Sequence, residues 1–441
     1  MPLDLQAQEL NEAIRSTNPF VYDLLSDKGK AIFFPKRGIL SQTEQAKGKK
    51  INATIGTALE DNGSPMVLGS LDALLNLKSK EGFSYASSYG RPEIRKSWED
   101  FMNKKNPSLA GKLFSSPVVS SALTHGLSMA GYLFVNDNDV IISPDLYWEN
   151  YDLIFCHAFG AKFDTFPTFI DNSSFNIEGL RKKLMDTPKG KKIVILNFPN
   201  NPTGYTVTCN EALQIKNILV EAAEAGNNIL VFIDDAYFGL VYEEGIMQES
   251  IFSLLADAHE RILAVKFDGP TKEDYVWGFR VGFTTFGSAL NSPEMYKALE
   301  AKLAGAIRGN ISNTSNIGQT LLLSAYNSST YNEEKLQKAS ILKRRYQKIR
   351  DIFRNHPEYN EYFFPLPFNS GYFMCVKLVK GDTEMVRKEL LEKYDTGLIA
   401  LGPVLRIAFS ATPYEMLETL FDNLYQAAKS CTREKLHAVN A

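Results

Sequence analysis

Residues 191–206 read "KKIVILNFPNNPTGYT", and this stretch decides the fold. The apolar run "IVIL" passes directly into a segment that contains two prolines, three asparagines and a glycine. An apolar run that ends in such residues is typical of a buried strand followed by a turn. A strand alone does not explain why the turn is so polar, or what the amide of Asn201 binds. The stretch therefore predicts a strand whose carboxyl end presents polar groups.

Strand-like apolar runs alternate with helix-like patterns on both sides of this stretch, from about residue 115 to about residue 285. Strands that are apolar on both faces and separated by helices indicate an α/β fold, with a mostly parallel sheet covered by helices on both faces. In such sheets, ligands bind beyond the carboxyl ends of the strands. The strand-like runs are "SPVVSSAL", "DVIISP", "KKIVILNFP", "NILVFIDDAYF" and "RILAVKFDG".

The pattern changes after about residue 330, where the long charged segment "NEEKLQKASILKRRYQKIRDIFRNH" predicts an amphipathic helix. Short strand-like runs interleaved with helices follow it and indicate a smaller α+β domain. We therefore predict a large domain over residues 68–330 and a C-terminal small α+β domain over residues 331–441. Residues 1–67 are predicted to form an N-terminal arm and part of the small domain.

Composition indicates a globular protein without a strongly charged surface. Hydrophobic residues make up 44% of the 441 residues and charged residues 22%, with a net charge of −3. This balance argues against a basic face for nucleic acid or for an anionic membrane. No apolar run approaches the length that spans a bilayer, and the acidic amphipathic N-terminal sequence does not resemble a signal peptide. We expect a cytoplasmic protein that binds neither nucleic acid nor membranes.

The cysteines give no sign of a disulfide framework or of a metal site. They lie far apart, without a CxxC pair and without histidines at zinc-ligand spacing. Free thiols in a reducing compartment are the better interpretation, and we predict no metal. The four are Cys156, Cys209, Cys375 and Cys431.

The segment "IDDAY" places Asp234 directly after the apolar run "ILVFI". A carboxylate at the end of a buried strand is destabilising unless a cation or several hydrogen bonds compensate for its burial. Taken alone, the residue also fits the N-cap of a helix, where aspartate is favoured. Asp234 is therefore a candidate site residue with an ordinary structural alternative.

The segment "TKEDYVWGFRVGF" places Lys272 eight residues before Arg280, between Gly278 and Gly282. Burial can lower the pKa of a lysine and allow it to form a Schiff base, and the arginine fork suits phosphate. Glycines allow the backbone to approach a ligand closely. The alternatives are an exposed lysine followed by a strand and, for Asn201, plain turn chemistry.

The order and spacing of these three segments resemble the pyridoxal-phosphate-dependent class I/II aminotransferases of fold type I. The family's "NPTG" stands at residues 201–204, its "D-x-A-Y" at 234–237, and its lysine with "G-x-R-x-G" at 272–282. The resemblance extends from about "INATIG" to "LRIAFS", and the segment "AIRGNISN" resembles the aspartate aminotransferase branch. Lys266 does not fit the lysine position, because Asp274 rather than an arginine lies eight residues further on.

The resemblance implies a role for each residue of these segments. Lys272 would form the imine with the aldehyde of the cofactor, and Asp234 would pair with its pyridine nitrogen, which makes the ring an electron sink. Tyr237 and Asn201 would hydrogen-bond the phenolic oxygen of the ring, and Asn201 would also lie near the substrate. Arg280 would bind the phosphate.

The resemblance also implies a phosphate-binding turn at "SALTHGLS", where a helix begins and its free amides can bind an anion. Ala122, Leu123 and Thr124 are the matching positions, with Ala122 in place of the usual glycine. The family usually has a serine three residues before the lysine, and Gly269 stands there. Thr271 or a water would take over that phosphate contact.

Two aromatic residues complete the cofactor site that the resemblance implies. Alignment of "LYWENY" gives the ring-stacking role to Trp148, with Tyr147 as the competing candidate. In "YASSYG", Tyr85 matches a tyrosine that reaches the cofactor phosphate of the neighbouring subunit. This match implies a homodimer with shared active sites.

Besides Asn201, three further residues are assigned to the substrate by the same resemblance. In "LRIAFS", Arg406 would bind the α-carboxylate, and in "NATIGTALED" the backbone of Gly56 would lie close to it. In "AIRGNISN", Arg308 matches an arginine that crosses the subunit interface and binds a side-chain carboxylate. The alternative for Arg308 is a surface residue before a helix N-cap at Ser312 or Asn313.

The implied function is transfer of an amino group from an L-amino acid, preferably dicarboxylic, to a 2-oxo acid by a ping-pong mechanism. Other chemistry of the same cofactor, such as β-elimination or decarboxylation, uses the same lysine and aspartate. A sensor domain of a transcription regulator shares the fold, but the motifs begin near residue 52 and the net charge is −3, so we do not expect a DNA-binding module. A degenerate homologue without cofactor is a further alternative.

Overall fold

The secondary structure follows the alternation expected from the sequence. This computed structural model describes residues 3–17, 39–54, 56–64, 66–72, 84–186 and 188–439. Within them the strands are β1 (Ile51–Asn52), β2 (Val118–Ser120), β3 (Val140–Pro144), β4 (Lys162–Phe166), β5 (Phe169–Ile170), β6 (Ser174–Phe175), β7 (Lys191–Asn197), β8 (Asn228–Asp234), β9 (Ile262–Asp268), β10 (Gly282–Gly287), β11 (Phe363–Pro365), β12 (Phe373–Leu378), β13 (Thr396–Gly397), β14 (Ile399–Leu401) and β15 (Val404–Ala408).

The same residues also form the helices, and one segment, Asp152–His157, is π-helical. The α-helices are α1 (Leu5–Thr17), α2 (Ile39–Gln45), α3 (Gly69–Asp72), α4 (Pro92–Lys105), α5 (Ala122–Phe134), α6 (Ile177–Met185), α7 (Cys209–Glu224), α8 (Phe252–Leu255), α9 (Pro270–Glu273), α10 (Pro293–Asn310), α11 (Asn316–Tyr326), α12 (Tyr331–Asn355), α13 (Thr383–Lys393) and α14 (Leu417–Val439).

The central sheet has seven strands in the order β2-β10-β9-β8-β7-β3-β4. Of these, β10 alone runs antiparallel to its neighbours. Ile229, Val231 and Ile233 of β8 pack into one apolar cluster, and Leu230 and Phe232 into another on the opposite face. A strand buried on both faces explains the continuous apolar run in the sequence. The predicted α/β class, a mostly parallel sheet between two layers of helices, is confirmed.

A second, four-stranded antiparallel sheet with the order β11-β12-β15-β14 lies in the C-terminal part of the chain. The segment around residues 51–59 packs against this part, since β1 pairs with β13 and the amide of Leu59 donates to the carbonyl of Ser410 at 2.9 Å. These pairings join an early segment to the predicted small domain. The domain boundaries themselves stay a prediction.

The carboxyl ends of the central strands bring the polar motifs together. Asn197, the last residue of β7, is the register partner of Asp234, the last residue of β8. The next strand, β9, ends at Asp268 and leads through Gly269 into α9, which carries Lys272. The sheet therefore positions three of the candidate motifs at one edge.

The Asn-Pro-Thr-Gly turn, residues 201–204, is held by the side chain of Asn200 and by the segment that precedes β12. The Asn200 carboxamide oxygen accepts hydrogen bonds from the amide and the hydroxyl of Thr203, at 3.0 and 2.7 Å. The carbonyl of Gly204 accepts from the amides of Asn369 and Ser370 at 3.0 and 2.9 Å. Gly204 itself has a φ of 71°, a conformation that favours glycine.

We expect Gly204→Ala to destabilise the protein strongly. A Cβ at this position would lie 1.8 Å from the carbonyl oxygen of Phe373, a backbone atom that cannot move aside easily. The clash and the positive φ together should cost roughly 3–5 kcal/mol in the free energy of unfolding, measured by urea denaturation. Gly245→Ala is the matched control, since Gly245 has a φ of 78° and open space around it. Equal losses for the two variants would contradict the packing argument.

Other global features can be stated for the described part of the chain. There, none of the helices combines the length and the apolar character needed to cross a membrane. In the same part, no group of three or more acidic, histidine or cysteine side chains could hold a metal ion. All four cysteines are free thiols in the structure.

Candidate active site

A cavity of about 350 Å³ opens at the carboxyl ends of β7 and β8. All the residues that the sequence assigned to the site line it, except Tyr85 and Arg308. Four further residues that the sequence did not single out also line it: Thr54, Asn197, Ala236 and Phe373. The predicted residues in the cavity are Gly56, Ala122, Leu123, Thr124, Trp148, Asn201, Asp234, Tyr237, Thr271, Lys272, Arg280 and Arg406.

Asp234 is buried and accepts two hydrogen bonds. Its carboxylate takes a hydrogen bond of 2.5 Å from the hydroxyl of Tyr151 and one of 3.1 Å from the amide of Ala236. No helix begins at this point in the described residues, so the N-cap alternative is wrong. Burial raises the pKa of Asp234 to about 6, although the Tyr151 hydrogen bond and the charge of Lys272 lower it. The site therefore holds a carboxylate that a cationic partner would stabilise.

Tyr151 is a site residue that the sequence analysis missed. It precedes the π-helical segment Asp152–His157, which lies between helical turns. Such π-helical insertions are frequent at functional sites. The two candidate stacking residues are placed differently: Trp148 lines the cavity, whereas the hydroxyl of Tyr147 donates to Asp152, the first residue of that segment, at 3.1 Å. The stacking role of Trp148 stays a prediction, and this placement favours it over Tyr147.

Lys272 extends into the cavity from α9. Its ammonium nitrogen lies 5.6 Å from the ring centre of Tyr237, and its carbonyl accepts a 2.6 Å hydrogen bond from the hydroxyl of Tyr372. Burial lowers the pKa of Lys272 to about 8; the charges of Arg280 and Arg406 act in the same direction and that of Asp234 opposes them. A substantial fraction of the amine is therefore neutral, and nucleophilic, at mildly alkaline pH.

Arg406 is buried on β15 and faces the Asn-Pro-Thr-Gly turn. Its guanidinium donates to the carboxamide oxygen of Asn201 at 3.1 Å and to the carbonyl of Thr54 at 3.3 Å. It lies 4.3 Å from the ring centre of Phe373, and its Nε has no hydrogen-bond partner among the described residues. A buried cation with an unused donor is suited to a carboxylate.

Asn197 also lines the cavity, but its polar atoms are used by the backbone. Its amide donates to the carbonyl of Asp234 at 2.7 Å, and its oxygen accepts from the amide of Asn201 at 2.7 Å. Asn197 therefore positions two of the predicted site residues. Its position at the end of the apolar run of β7 is the feature of the sequence that could have identified it as a site residue. That Asn201 alone of the three asparagines contacts a cofactor stays a prediction.

The predicted phosphate end of the cavity contains two residues in the left-handed region. Ala122 has a φ of 61° and Arg280 a φ of 53°. Conformations of this kind are unfavourable for residues other than glycine and cluster at functional sites. The glycine at position 282 permits the tight packing there, because a Cβ would lie 2.7 Å from the carbonyl carbon of Ala122. The backbone thus brings the start of α5 close to β10.

The departure at Gly269 has a packing reason. A Cβ there would lie 3.0 Å from the Cα of Gly282 and 3.0 Å from the carbonyl oxygen of Val281. A serine would therefore be crowded. The Thr271 hydroxyl, by contrast, is buried without a hydrogen-bond partner among the described residues and lines the cavity. It is a donor suited to the contact that the sequence analysis assigned to it.

Tyr85 and Arg308 lie outside the cavity of this chain. Tyr85 is 91% exposed, and the exposed Arg308 donates to the hydroxyl of Ser312 at 2.7 Å. The N-cap of α11 is Ser315, so the expected cap at Ser312 or Asn313 is wrong. Both residues were assigned roles across a subunit interface, and those roles stay predictions.

Residues 48–424 match the model of a family described as aminotransferase class I and II. The chain belongs to this family. This membership confirms the resemblance that the lysine, aspartate and arginine motifs indicated. It also confirms the predicted enzyme class, an aminotransferase.

This aminotransferase is similar to relatives of several specificities. An aspartate aminotransferase of Bacillus sp. (strain YM-2) is 25% identical over 305 residues, which cover 68% of this chain and 71% of that protein. Aromatic-amino-acid aminotransferase 2 of Thermococcus litoralis is 25% identical over 361 residues, 78% of this chain and 84% of that protein. A solved aminotransferase from Anaerococcus prevotii superimposes with a TM-score of 0.80 at 24% identity and covers 92% of this chain and 99% of that one.

Proposed function

We propose that this aminotransferase moves an amino group from an L-amino acid, preferably a dicarboxylic one, to a 2-oxo acid, with ping-pong kinetics. One observation supports the proposal above others: a lysine of lowered pKa, a buried carboxylate and a buried arginine line the same cavity of about 350 Å³. These are Lys272, Asp234 and Arg406.

The residues of the cavity fit pyridoxal phosphate, the cofactor that members of this family use. Asp234 would hold its protonated pyridine nitrogen, and Lys272 would bind its aldehyde carbon. Arg280, the unpartnered hydroxyl of Thr271 and the first turn of α5 would hold its phosphate. When bound, the cofactor supplies an electron-withdrawing ring that stabilises negative charge at the substrate Cα.

The side chains of the chain itself would bind the substrate and move its proton. Arg406 binds the α-carboxylate, since its Nε is free for it among the described residues. The neutral amine of Lys272 accepts the proton of the substrate Cα, a general-base role that contributes about 10²–10⁴-fold in rate. Tyr237 and Phe373 provide an apolar wall that excludes water from this proton.

The proposed preference for dicarboxylic substrates depends on Arg308 and on the formation of a homodimer. In a cytoplasmic homodimer with shared sites, the exposed Arg308 and the exposed Tyr85 of one subunit would face the cavity of the other. Arg308 would then bind the side-chain carboxylate of the substrate, and Tyr85 the cofactor phosphate. Neither side chain is buried in the core of its own chain, so both are accessible to a neighbouring subunit.

A panel of amino acids tests the reaction. With pyridoxal phosphate bound, aspartate and glutamate should abolish its visible absorption and release the matching 2-oxo acid, one per site. Arg308→Ala should lower kcat/KM for aspartate about 10–100-fold, the effect of one charge-assisted pair, and leave that for alanine unchanged. Arg406→Gln is the control, because it should affect all amino acids.

Three outcomes would count against the proposal. Pyruvate with free ammonia, or carbon dioxide, as the products would indicate a lyase or a decarboxylase. Protein that stays colourless with pyridoxal phosphate would indicate a homologue without cofactor. An equal loss for aspartate and alanine on Arg308→Ala would make Arg308 structural and remove the dicarboxylic preference.

A further inference from the structure

A cluster of charged side chains lies buried beneath the carboxyl ends of β8 and β9, outside the cavity. The ammonium of Lys266 is fully buried, lies 2.9 Å from the carboxylate of Asp235 and also pairs with that of Asp268. The hydroxyl of Ser250 donates to Asp235 at 2.5 Å, and the indole of Trp98 donates to Asp268 at 3.0 Å. The proposed reaction uses none of these groups.

The two carboxylates belong to the two chain segments on which the site depends. Asp235 directly follows Asp234, and Asp268 is the last residue of β9, four residues before Lys272. Lys266 lies on β9 itself and reaches both carboxylates with a single nitrogen. The ion pairs therefore connect the end of β8 to the end of β9.

We propose that Lys266 is a positioning residue that ties together the strand ends carrying Asp234 and leading to Lys272, and so sets the affinity for pyridoxal phosphate. This inference rests on the proposed function, because it concerns the same cofactor. Unlike Lys272, Lys266 would not touch the cofactor or the substrate.

The composition of the cluster supports positioning rather than a general gain in stability. Buried ion pairs are on average no more stabilising than apolar residues of the same size, but their geometry is directional. Here each carboxylate has a second donor, Ser250 or Trp98, which fixes its orientation. Two carboxylates held by one ammonium specify one separation of the strand ends.

The cluster also acts on Asp234 through its charge. The negative charge of Asp235 raises the pKa of Asp234, which weakens the ionised form that would pair with a pyridinium nitrogen. Lys266 offsets the charge of Asp235 because it lies in direct contact with it. Loss of the ammonium would therefore disturb both the position and the charge of Asp234.

The test is a titration of the cofactor-free full-length protein with pyridoxal phosphate, followed by visible absorption. Lys266→Met should weaken the affinity by about tenfold or more, the size of one coupled network interaction. It should also change the visible circular dichroism of the bound cofactor, which reports its orientation. Lys192→Met is the matched control, since Lys192 is a buried lysine at the far end of β7, and it should leave the affinity within about twofold.

A second variant tests the positioning role of Lys266 if Lys266→Met does not fold. With both carboxylates ionised the cluster carries a net charge of −1, and Lys266→Met/Asp268→Asn keeps that charge while it removes the connection between the strands. We expect this variant to fold and to bind pyridoxal phosphate about tenfold more weakly. A folded variant of either kind with wild-type affinity and wild-type dichroism would overturn the inference. Failure of the wild type to bind pyridoxal phosphate would instead overturn the proposed function.

Discussion

Lys272→Ala should abolish turnover and also abolish covalent retention of the cofactor. Loss of the general base alone should lower kcat by about 10⁴-fold, the upper end of what such groups contribute. Treatment of the wild type with pyridoxal phosphate expels water as the imine forms, and borohydride then adds two hydrogens. The peptide that contains Lys272 should therefore gain one pyridoxyl phosphate group, the mass of the cofactor less one oxygen, and the variant should show no such addition. The lowered pKa of Lys272, about 8, should make this lysine react in preference to exposed lysines.

The same pKa predicts how labelling depends on pH. The neutral amine is the reactive form, so labelling of the wild type should rise through about pH 8. Lys302→Ala, a change at an exposed lysine of α10, should leave both labelling and turnover unchanged. If Lys272→Ala kept its reducible link to the cofactor, another lysine would be the anchor. Full turnover of the variant would contradict the proposed mechanism as a whole.

The sequence predicted the cavity residues that lie at strand ends, because each polar motif interrupts an apolar run. Asn201 follows β7, Asp234 ends β8, and Lys272 follows β9. A buried strand cannot easily carry a carboxylate or a cluster of turn residues unless something outside the strand compensates for them. These residues could therefore be found one segment at a time, and the order of the segments identified the family.

The residues that the sequence did not predict depend on contacts between distant segments. Tyr151 contacts Asp234 across 83 positions of the chain, and it directly precedes a π-helical segment that no sequence periodicity predicts. Thr54 and Phe373 lie far apart in the sequence, and both line the cavity where they contact Arg406. An aromatic or a threonine at such positions has the same local pattern as ordinary core packing, so only the tertiary structure distinguishes it.

The buried partners of Lys266 show the same limit for charged residues. The sequence placed a lysine inside an apolar strand and excluded it from the catalytic position by its spacing to the next arginine. It could not show that Asp235 and Asp268 converge on that lysine, since the convergence depends on the register of β8 with β9. The spacing of the sequence excluded Lys266 from the catalytic position. The pairing of β8 with β9 shows instead that Lys266 binds two carboxylates.

Asp234→Asn should lower kcat/KM by about 10²–10⁴-fold, the range for removal of one partner of a buried charge pair. The amide keeps the size of the side chain: its oxygen can still accept a hydrogen bond from the amide of Ala236, and its NH2 group can donate to the hydroxyl of Tyr151. It cannot keep a pyridine nitrogen protonated. The fold should therefore survive, and removal of an unpaired buried charge should not lower the thermal stability of the cofactor-free protein. Steady-state kinetics and thermal unfolding measure the two effects separately.

Tyr151→Phe separates the charge of Asp234 from its hydrogen bond. The hydroxyl lowers the pKa of Asp234, so its removal should raise that pKa above about 6 and leave the carboxylate ionised at alkaline pH. The variant should lose activity at pH 6 but recover most of it at pH 8, whereas Asp234→Asn should stay inactive at both. Asp234→Asn also removes the negative charge that raises the pKa of Lys272, so labelling of the lysine should shift to lower pH. If Asp234→Asn kept wild-type kcat/KM at pH 8, the carboxylate would be structural, and the electron sink would need another partner.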